Sequence, residues 1–171
     1  MNVVLFDTFE EVTSAITTVK ANAAGRFYID VPPGKELDDG VHMFTCRAEN
    51  AQGVFSEPSA PVAYLLDTVA PTGSVTAPAL PEGASEVVVD VARPAFRVRA
   101  TDDRSGVACV GFQMLGDTDI SWQSISVVVA PDEGTDLYTG VWPVVGAFKD
   151  GLVDGQYRFR AVITDKAGNE Y

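Results

Sequence analysis

Histidine and cysteine are scarce in this chain: His42 is the only histidine among 171 residues, and Cys46 and Cys109 are the only cysteines. No HExxH, GxSxG, Gly-rich phosphate loop or CxxC spacing occurs. A histidine-based triad, a zinc site and a redox pair therefore lack their parts. Basic residues are also few, with 12 Lys and Arg against 24 Asp and Glu, giving a net charge of −12. Phosphates would be repelled, so neither nucleic acid nor an anionic membrane surface is expected as a partner, and divalent cations are favoured instead. No run approaches the roughly eighteen apolar residues that cross a bilayer, and no membrane insertion is expected. The opening Met1-Asn2-Val3-Val4-Leu5-Phe6-Asp7 lacks a basic segment followed by a long apolar one, so no export signal is expected in this stretch. There is no Asn-x-Ser/Thr sequon and no sustained helical period.

What the chain does have is alternation. A hydrophobic fraction of 46% is that of a folded protein, so the acidity lies on a globular object. Short segments of period two are separated by Gly, Pro, Asp and Asn, which is an all-β pattern. Phe96, Val98 and Ala100 alternate with Arg97 and Arg99, and Ala108, Val110, Phe112 and Met114 alternate with Cys109, Gly111 and Gln113. One apolar face per segment predicts strands packed on a core. The segment Ala77 to Arg93 is rich in small residues and turn formers and reads as a long connection.

The chain also repeats itself. DGQYRFRAVITDKAGN, Asp154 to Asn169, is echoed by DGVHMFTCRAENAQG, Asp39 to Gly53. At one constant offset Asp39 meets Asp154, Phe44 meets Phe159, Asn50 meets Asp165 and Gly53 meets Gly168. A fixed period of this kind predicts copies of one structural unit. In the second copy Tyr157, Phe159, Ala161 and Ile163 form the inward face; in the first, His42, Phe44, Cys46 and Ala48 do. Pro71, in Leu66-Asp67-Thr68-Val69-Ala70-Pro71-Thr72, marks a short stiff linker. The predicted units are residues 1-67 and 68-171.

LLDTVAPTGSV, then ATDDRSGVACVGFQML, then DGQYRFRAVITDKAGN, in that order, resemble the bacterial Ig-like domains that occur in tandem in large surface and adhesion proteins. The resemblance covers nearly the whole chain. It implies an all-β fold of two tandem immunoglobulin-like Greek-key β-sandwich domains, with Tyr157 in the position of a tyrosine corner. His42 departs from that pattern, standing where the second copy has the tyrosine. Against this template the first unit's strands are expected at Asn2 to Phe6, Glu11 to Val19, Arg26 to Val31, Val41 to Glu49 and Pro61 to Leu66, without its first two strands. The second unit is expected to stop at Tyr171 before its last. Both units are thus expected to be incomplete at the chain ends, completed by flanking repeats of the same polypeptide or by strands from other copies.

On that template Asp67 of the linker, Asp102 and Asp103 of one loop and Asp165 of another are expected to converge. Carboxylates brought together repel unless a cation bridges them, and calcium takes six to eight oxygens in irregular geometry. The competing reading is that each Asp caps its own turn and stays solvated. Trp122 and Trp142 are either sugar-stacking platforms or packing residues, His42 is a corner residue ahead of a catalyst, and both cysteines are expected as free thiols. Arg97 and Arg99 are expected on a different sheet from Arg158 and Arg160, each pair meeting acids across its own face. The expectation is a non-enzymatic, structural or adhesive module pair of a larger bacterial surface or secreted protein, extracellular, with calcium as its one cofactor. Its partners would be neighbouring Ig-like domains and a surface glycan or protein. The alternatives are an accessory binding module of a secreted enzyme and a strand-exchanging filament or virion subunit.

Overall fold

A computed structural model describes residues 1–146 and 148–171. Among these residues all regular structure is β: β1 (Asn2–Phe9), β2 (Val12–Lys20), β3 (Gly40–Glu49), β4 (Val62–Leu66), β5 (Thr72–Ala77), β6 (Phe96–Thr101), β7 (Val107–Gly116), β8 (Gln123–Val128), β9 (Leu137–Gly140) and β10 (Tyr157–Asp165). The chain divides into two compact units, Met1–Thr68 and Val69–Tyr171.

The first unit is one antiparallel sheet of four strands in the order β2-β1-β3-β4. Cross-strand pairing of Val3 with Ala48, Leu5 with Cys46 and Asp7 with Phe44 puts these residues on one face. His42, Phe44, Cys46 and Ala48 therefore share a face, as their spacing in the sequence predicts. Asp39 fastens the far end of the unit: its Oδ1 accepts from both the backbone N–H and the hydroxyl of Thr68, each at 3.0 Å. The expected strand at Arg26 to Val31 does not form, and residues 21 to 39 run as turns and irregular chain. A strand survives only with a neighbour to take its backbone hydrogen bonds. No strand of the described residues pairs with this segment, and Pro32, Pro33 and Gly34 follow at once to break it.

β1 runs three residues past its expected end and β2 is displaced by one residue, because the hairpin between them is tighter than the composition suggests. Phe9 pairs with Val12, leaving a two-residue loop of Glu10 and Glu11 at φ of 47° and 67°. That is the backbone of a type I′ turn, which matches strand twist but favours Asn-Gly. Two glutamates there carry a left-handed conformation unfavourable by roughly 1–2 kcal/mol each. Replacing the pair, E10N/E11G, is expected to stabilise the first unit by about 1 kcal/mol, read as a higher urea midpoint for the loss of its β signal by circular dichroism.

The second unit is a sandwich of two three-stranded antiparallel sheets, β5-β6-β9 and β10-β7-β8. Its core comes from both. β6 alternates strictly, with Phe96, Val98 and Ala100 buried and Arg97, Val-flanking Arg99 and Thr101 exposed. Val110, Phe112 and Met114 of β7 and Ile163 of β10 face them from the other sheet. Phe159 stacks on Phe96 with ring centroids 4.5 Å apart and lies 6.1 Å from Phe112. At Gly73 of β5 a Cβ would run into Cδ1 of Ile163 from the other sheet and sit 2.8 Å from the Arg99 backbone carbonyl. Only glycine fits there. The connection from β5 to β6 is long, as read from the sequence, and with β10 it borders an open groove of about 800 Å³ lined by Val75, Leu80, Phe96, Met114 and Phe159.

Candidate functional site

The acidic residues singled out by sequence sit in turns whose shape they create. Asp102 directly follows β6, and its Oδ1 accepts from the N–H groups of Arg104 at 3.2 Å and Gly106 at 2.6 Å. Asp165 closes β10, and its Oδ1 accepts from the N–H groups of Gly168 at 2.7 Å and Asn169 at 2.8 Å. Both are Asx turns, in which a short carboxylate replaces backbone partners that the reversing chain has lost. The backbone joins the two turns, with the Lys166 N–H donating to the Gly106 carbonyl at 2.9 Å. Asp102 and Asp165 consequently bring carboxylate oxygens within 4.8 Å of one another.

Asp103 is exposed in the same turn as Asp102, outside that close grouping. Asp67 belongs to the end of the first unit, one residue past β4, and is buried. Asn169 joins Asp165 to the start of the second unit: its amide donates to Oδ2 of Asp165 at 2.8 Å and to the Val69 carbonyl at 3.3 Å. Burial acts to raise the Asp165 carboxyl, but the Asn169 side chain and the N–H groups of Asn169, Gly168 and Ala167 outweigh it, so the net direction is down. Asp165 is therefore anionic wherever the fold is intact at neutral pH. A group whose folded value is depressed stabilises above its unfolded value, near 3.9, and that contribution is lost as pH falls through the folded value.

The echo in the sequence is an echo in hydrogen bonds. Tyr157 donates its hydroxyl proton to the Val153 carbonyl at 3.1 Å, which is a tyrosine corner. At the matching position in the first unit, His42 Nε2 lies 2.7 Å from the Asp38 carbonyl. Asn50 N–H donates to the Val54 carbonyl and Gly53 N–H to the Asn50 carbonyl, just as Asp165 N–H donates to Asn169 and Gly168 N–H to Asp165. The return bridges match too, Glu49 with Phe55 and Thr164 with Glu170. Asn50 Oδ1 accepts from the Gln52 and Val54 N–H groups at 2.9 and 3.0 Å. An amide oxygen thus does in one copy what a carboxylate does in the other.

The remaining candidates are engaged within their own units. The Arg160 guanidinium lies 4.3 Å over the Trp122 ring and bonds Gln113 at 2.8 Å, so it meets an aromatic and an amide in place of the expected acid. Arg99 does meet an acid, Asp136, at 3.1 Å on an exposed surface. Trp142 packs on Phe96 and donates to the Pro94 carbonyl at 2.9 Å. Cys46 and Cys109 are free thiols, and burial pushes the Cys46 thiol up. One buried pair escaped the sequence reading, Asp7 with His42 at 2.7 Å. Its signal was present: Asp7 occupies an inward position in the alternation Val3, Leu5, Asp7, Phe9, but β1 was expected to end at Phe6.

No protein-family model matches the chain, and no curated protein matches it. The fold alone defines its class: among the described residues, an all-β chain with three antiparallel sheets.

Asn50 supplies the control for Asp165. Asp165→Asn is expected to keep the turn and most of the second unit's thermal stability, whereas Asp165→Ala is expected to lower its melting temperature by several degrees. Tryptophan fluorescence melts check this, since Trp122 and Trp142 both lie in the second unit.

Proposed function

We propose that this chain is a non-catalytic pair of tandem Ig-like modules, serving a larger bacterial cell-surface or secreted protein outside the cell as a structural or adhesive element. The observation that carries this reading is the repeated hydrogen-bond set: corner, exit turn and return bridge recur at matched positions in both units. Such a set describes a module used more than once in a polypeptide, whose value lies in its shape. A histidine-based acid–base or nucleophilic pair has little to draw on, with one histidine in the chain and that one buried.

Calcium is the cofactor of this reading. Asp102 and Asp165 offer only oxygen donors, which suits a hard cation, and Asp165 is held in its charged form by its turn. Oδ1 of Asp102 and of Asp165 each accepts two backbone N–H groups, whereas Oδ2 of Asp165 accepts from the Asn169 amide and keeps a second lone pair for a cation. Asp67 stands two residues before Val69, whose carbonyl is tied to Asn169, and Asp103 adjoins Asp102; these are the further carboxylates the sequence offers. Calcium is expected to raise the melting temperature of the second unit, to act little on Asp165→Asn, and to be reversed by chelation. A ligand at a hundred times its Kd stabilises by about 2.7 kcal/mol. Equal melts with calcium and with chelator, together with no heat of binding in calorimetry, would remove the ion and leave the module reading standing.

A second reading, strand exchange between copies, has one observation in its favour. Glu170 and Tyr171 begin a pairing on the outer edge of β10, with mutual hydrogen bonds between Ile163 and Tyr171 at 2.9 and 3.0 Å. In the first unit the corresponding edge of β3 is filled further along by β4. Light scattering after size exclusion separates the readings: a monomer across a hundredfold range of concentration, roughly, supports the module pair, whereas growing oligomers support exchange.

A further inference from the structure

His42 is 1% exposed, and each of its ring nitrogens has an oxygen neighbour at 2.7 Å: Nε2 the backbone carbonyl of Asp38, Nδ1 the Oδ2 of Asp7. A carbonyl oxygen can only accept, so Nε2 must carry hydrogen. A neutral imidazole has a single N–H, and Nδ1 would then turn a lone pair toward a carboxylate lone pair. At 2.7 Å that contact is repulsive. A second ring proton converts it into a charge-assisted hydrogen bond of ordinary length. We propose that His42 is an imidazolium at neutral pH, paired with the Asp7 carboxylate inside the first unit, and that loss of its Nδ1 proton under alkaline conditions is a switch that breaks the tie between β1 and β3.

The surroundings fit a cation. Phe9 stacks on the imidazole at 4.6 Å with planes 14° apart, and Phe44 lies 5.9 Å away with planes 10° apart, so aromatic faces flank the ring. Phe9 is itself held in place by Gly40, where a Cβ would come within 2.7 Å of Cε2 of the Phe9 ring and where φ is +142°. The groups facing the histidine are Asp7 from β1, Asp38 from the lead-in turn and Tyr64 opposite it on β4. β2 sets Ser14, not a charge, opposite Asp7. Oδ1 of Asp7 is buried with no hydrogen-bond partner among the described residues, so the imidazolium is the carboxylate's counter-charge. Removing the proton would leave a buried anion uncompensated.

Burial pulls the imidazole down, but the Asp38 carbonyl bond, the Asp7 bond and the negative charges of Asp7 and Asp38 together outweigh it, and the net direction is up from 6.5. The sign follows from linkage. A group whose folded value lies above its unfolded one contributes in full below the unfolded value and loses that contribution as pH rises through the folded value. The first unit should therefore be firmest in acid to neutral solution and weaken toward alkaline pH.

The deciding experiment is an NMR titration of the full chain labelled with ¹⁵N in its one histidine. At pH 7 both ring nitrogens are expected at protonated shifts, with a midpoint above 6.5; a bare Nδ1 at pH 7 would overturn the proposal. Urea unfolding supplies the second readout, the histidine resonances following the first unit and tryptophan fluorescence the second. The first unit's midpoint is expected to fall as pH rises above about 6.5, and a flat or rising profile counts against the switch. Asp7→Asn is expected to weaken proton binding at His42 about tenfold or more, a shift of at least one pH unit. The double variant H42Y/D7N, patterned on Tyr157, should keep the corner bond and lose the pH dependence. If either variant fails to fold, the wild-type titration decides alone.

Discussion

The two units depend on how a β-strand that has run out of neighbours satisfies its backbone. At the end of β3 and of β10 the chain reverses within a few residues, and the N–H groups on the inside of the bend would be left bare. Asn50 and Asp165 supply the missing acceptors, with Gly53 and Gly168 at φ of 78° and 98° allowing the reversal. From that turn follow the return bridges to Phe55 and Glu170, and with them the register of whatever lies on the outer edge. At the other end of each strand a side chain reaches back to a carbonyl to fix the lead-in, histidine in one unit and tyrosine in the other. The strand is thus pinned at both ends by bonds that its own sequence carries.

Two chemically different residues perform each of these tasks, and the differences are where the units part. An amide and a carboxylate make the same turn, but only the carboxylate adds charge, and it does so beside Asp102. A phenol and an imidazole make the same corner bond, but only the imidazole has a second nitrogen, and that nitrogen meets Asp7. Asp165 weakens its turn as pH falls, and His42 weakens its tie to Asp7 as pH rises. The pair of units therefore has its common working range near neutrality.

Most of the strands were legible in the sequence, because a strand with one buried face writes itself as alternation: Phe96, Val98, Ala100 and Val110, Phe112, Met114 required no structure to place. The repeat is legible for the same reason, since it is local and periodic, whereas the corner at Tyr157 is what the resemblance to Ig-like domains implies. Arg26 to Val31 is a strand only on the Ig-like template, and a place in a template does not make a strand; a partner must also be present. The Asp7–His42 pair joins two strands, and the inward place of Asp7 shows only once β1 extends past Phe6, which the hairpin at Glu10 and Glu11, lacking an Asn-Gly signal, does not announce. Arg160 over Trp122 is likewise a meeting across strands, invisible to any local pattern. For the acidic cluster, the template sets the expectation that Asp102 and Asp165 converge, and the bond from Lys166 to Gly106 joins the turns that bring them within 4.8 Å.

The order β2-β1-β3-β4 has a mechanical consequence. β1 and β4 both run antiparallel to β3 on its two sides, so they run parallel to each other, with the chain entering at the start of one and leaving at the end of the other. Tension on those two points slides β1 and β4 in opposite directions along β3. Inter-strand hydrogen bonds lie across that direction, so they are strained together and not opened singly from one end. The double bond from Asp39 to Thr68 sits at the exit point, where it meets the pull before the ladder does.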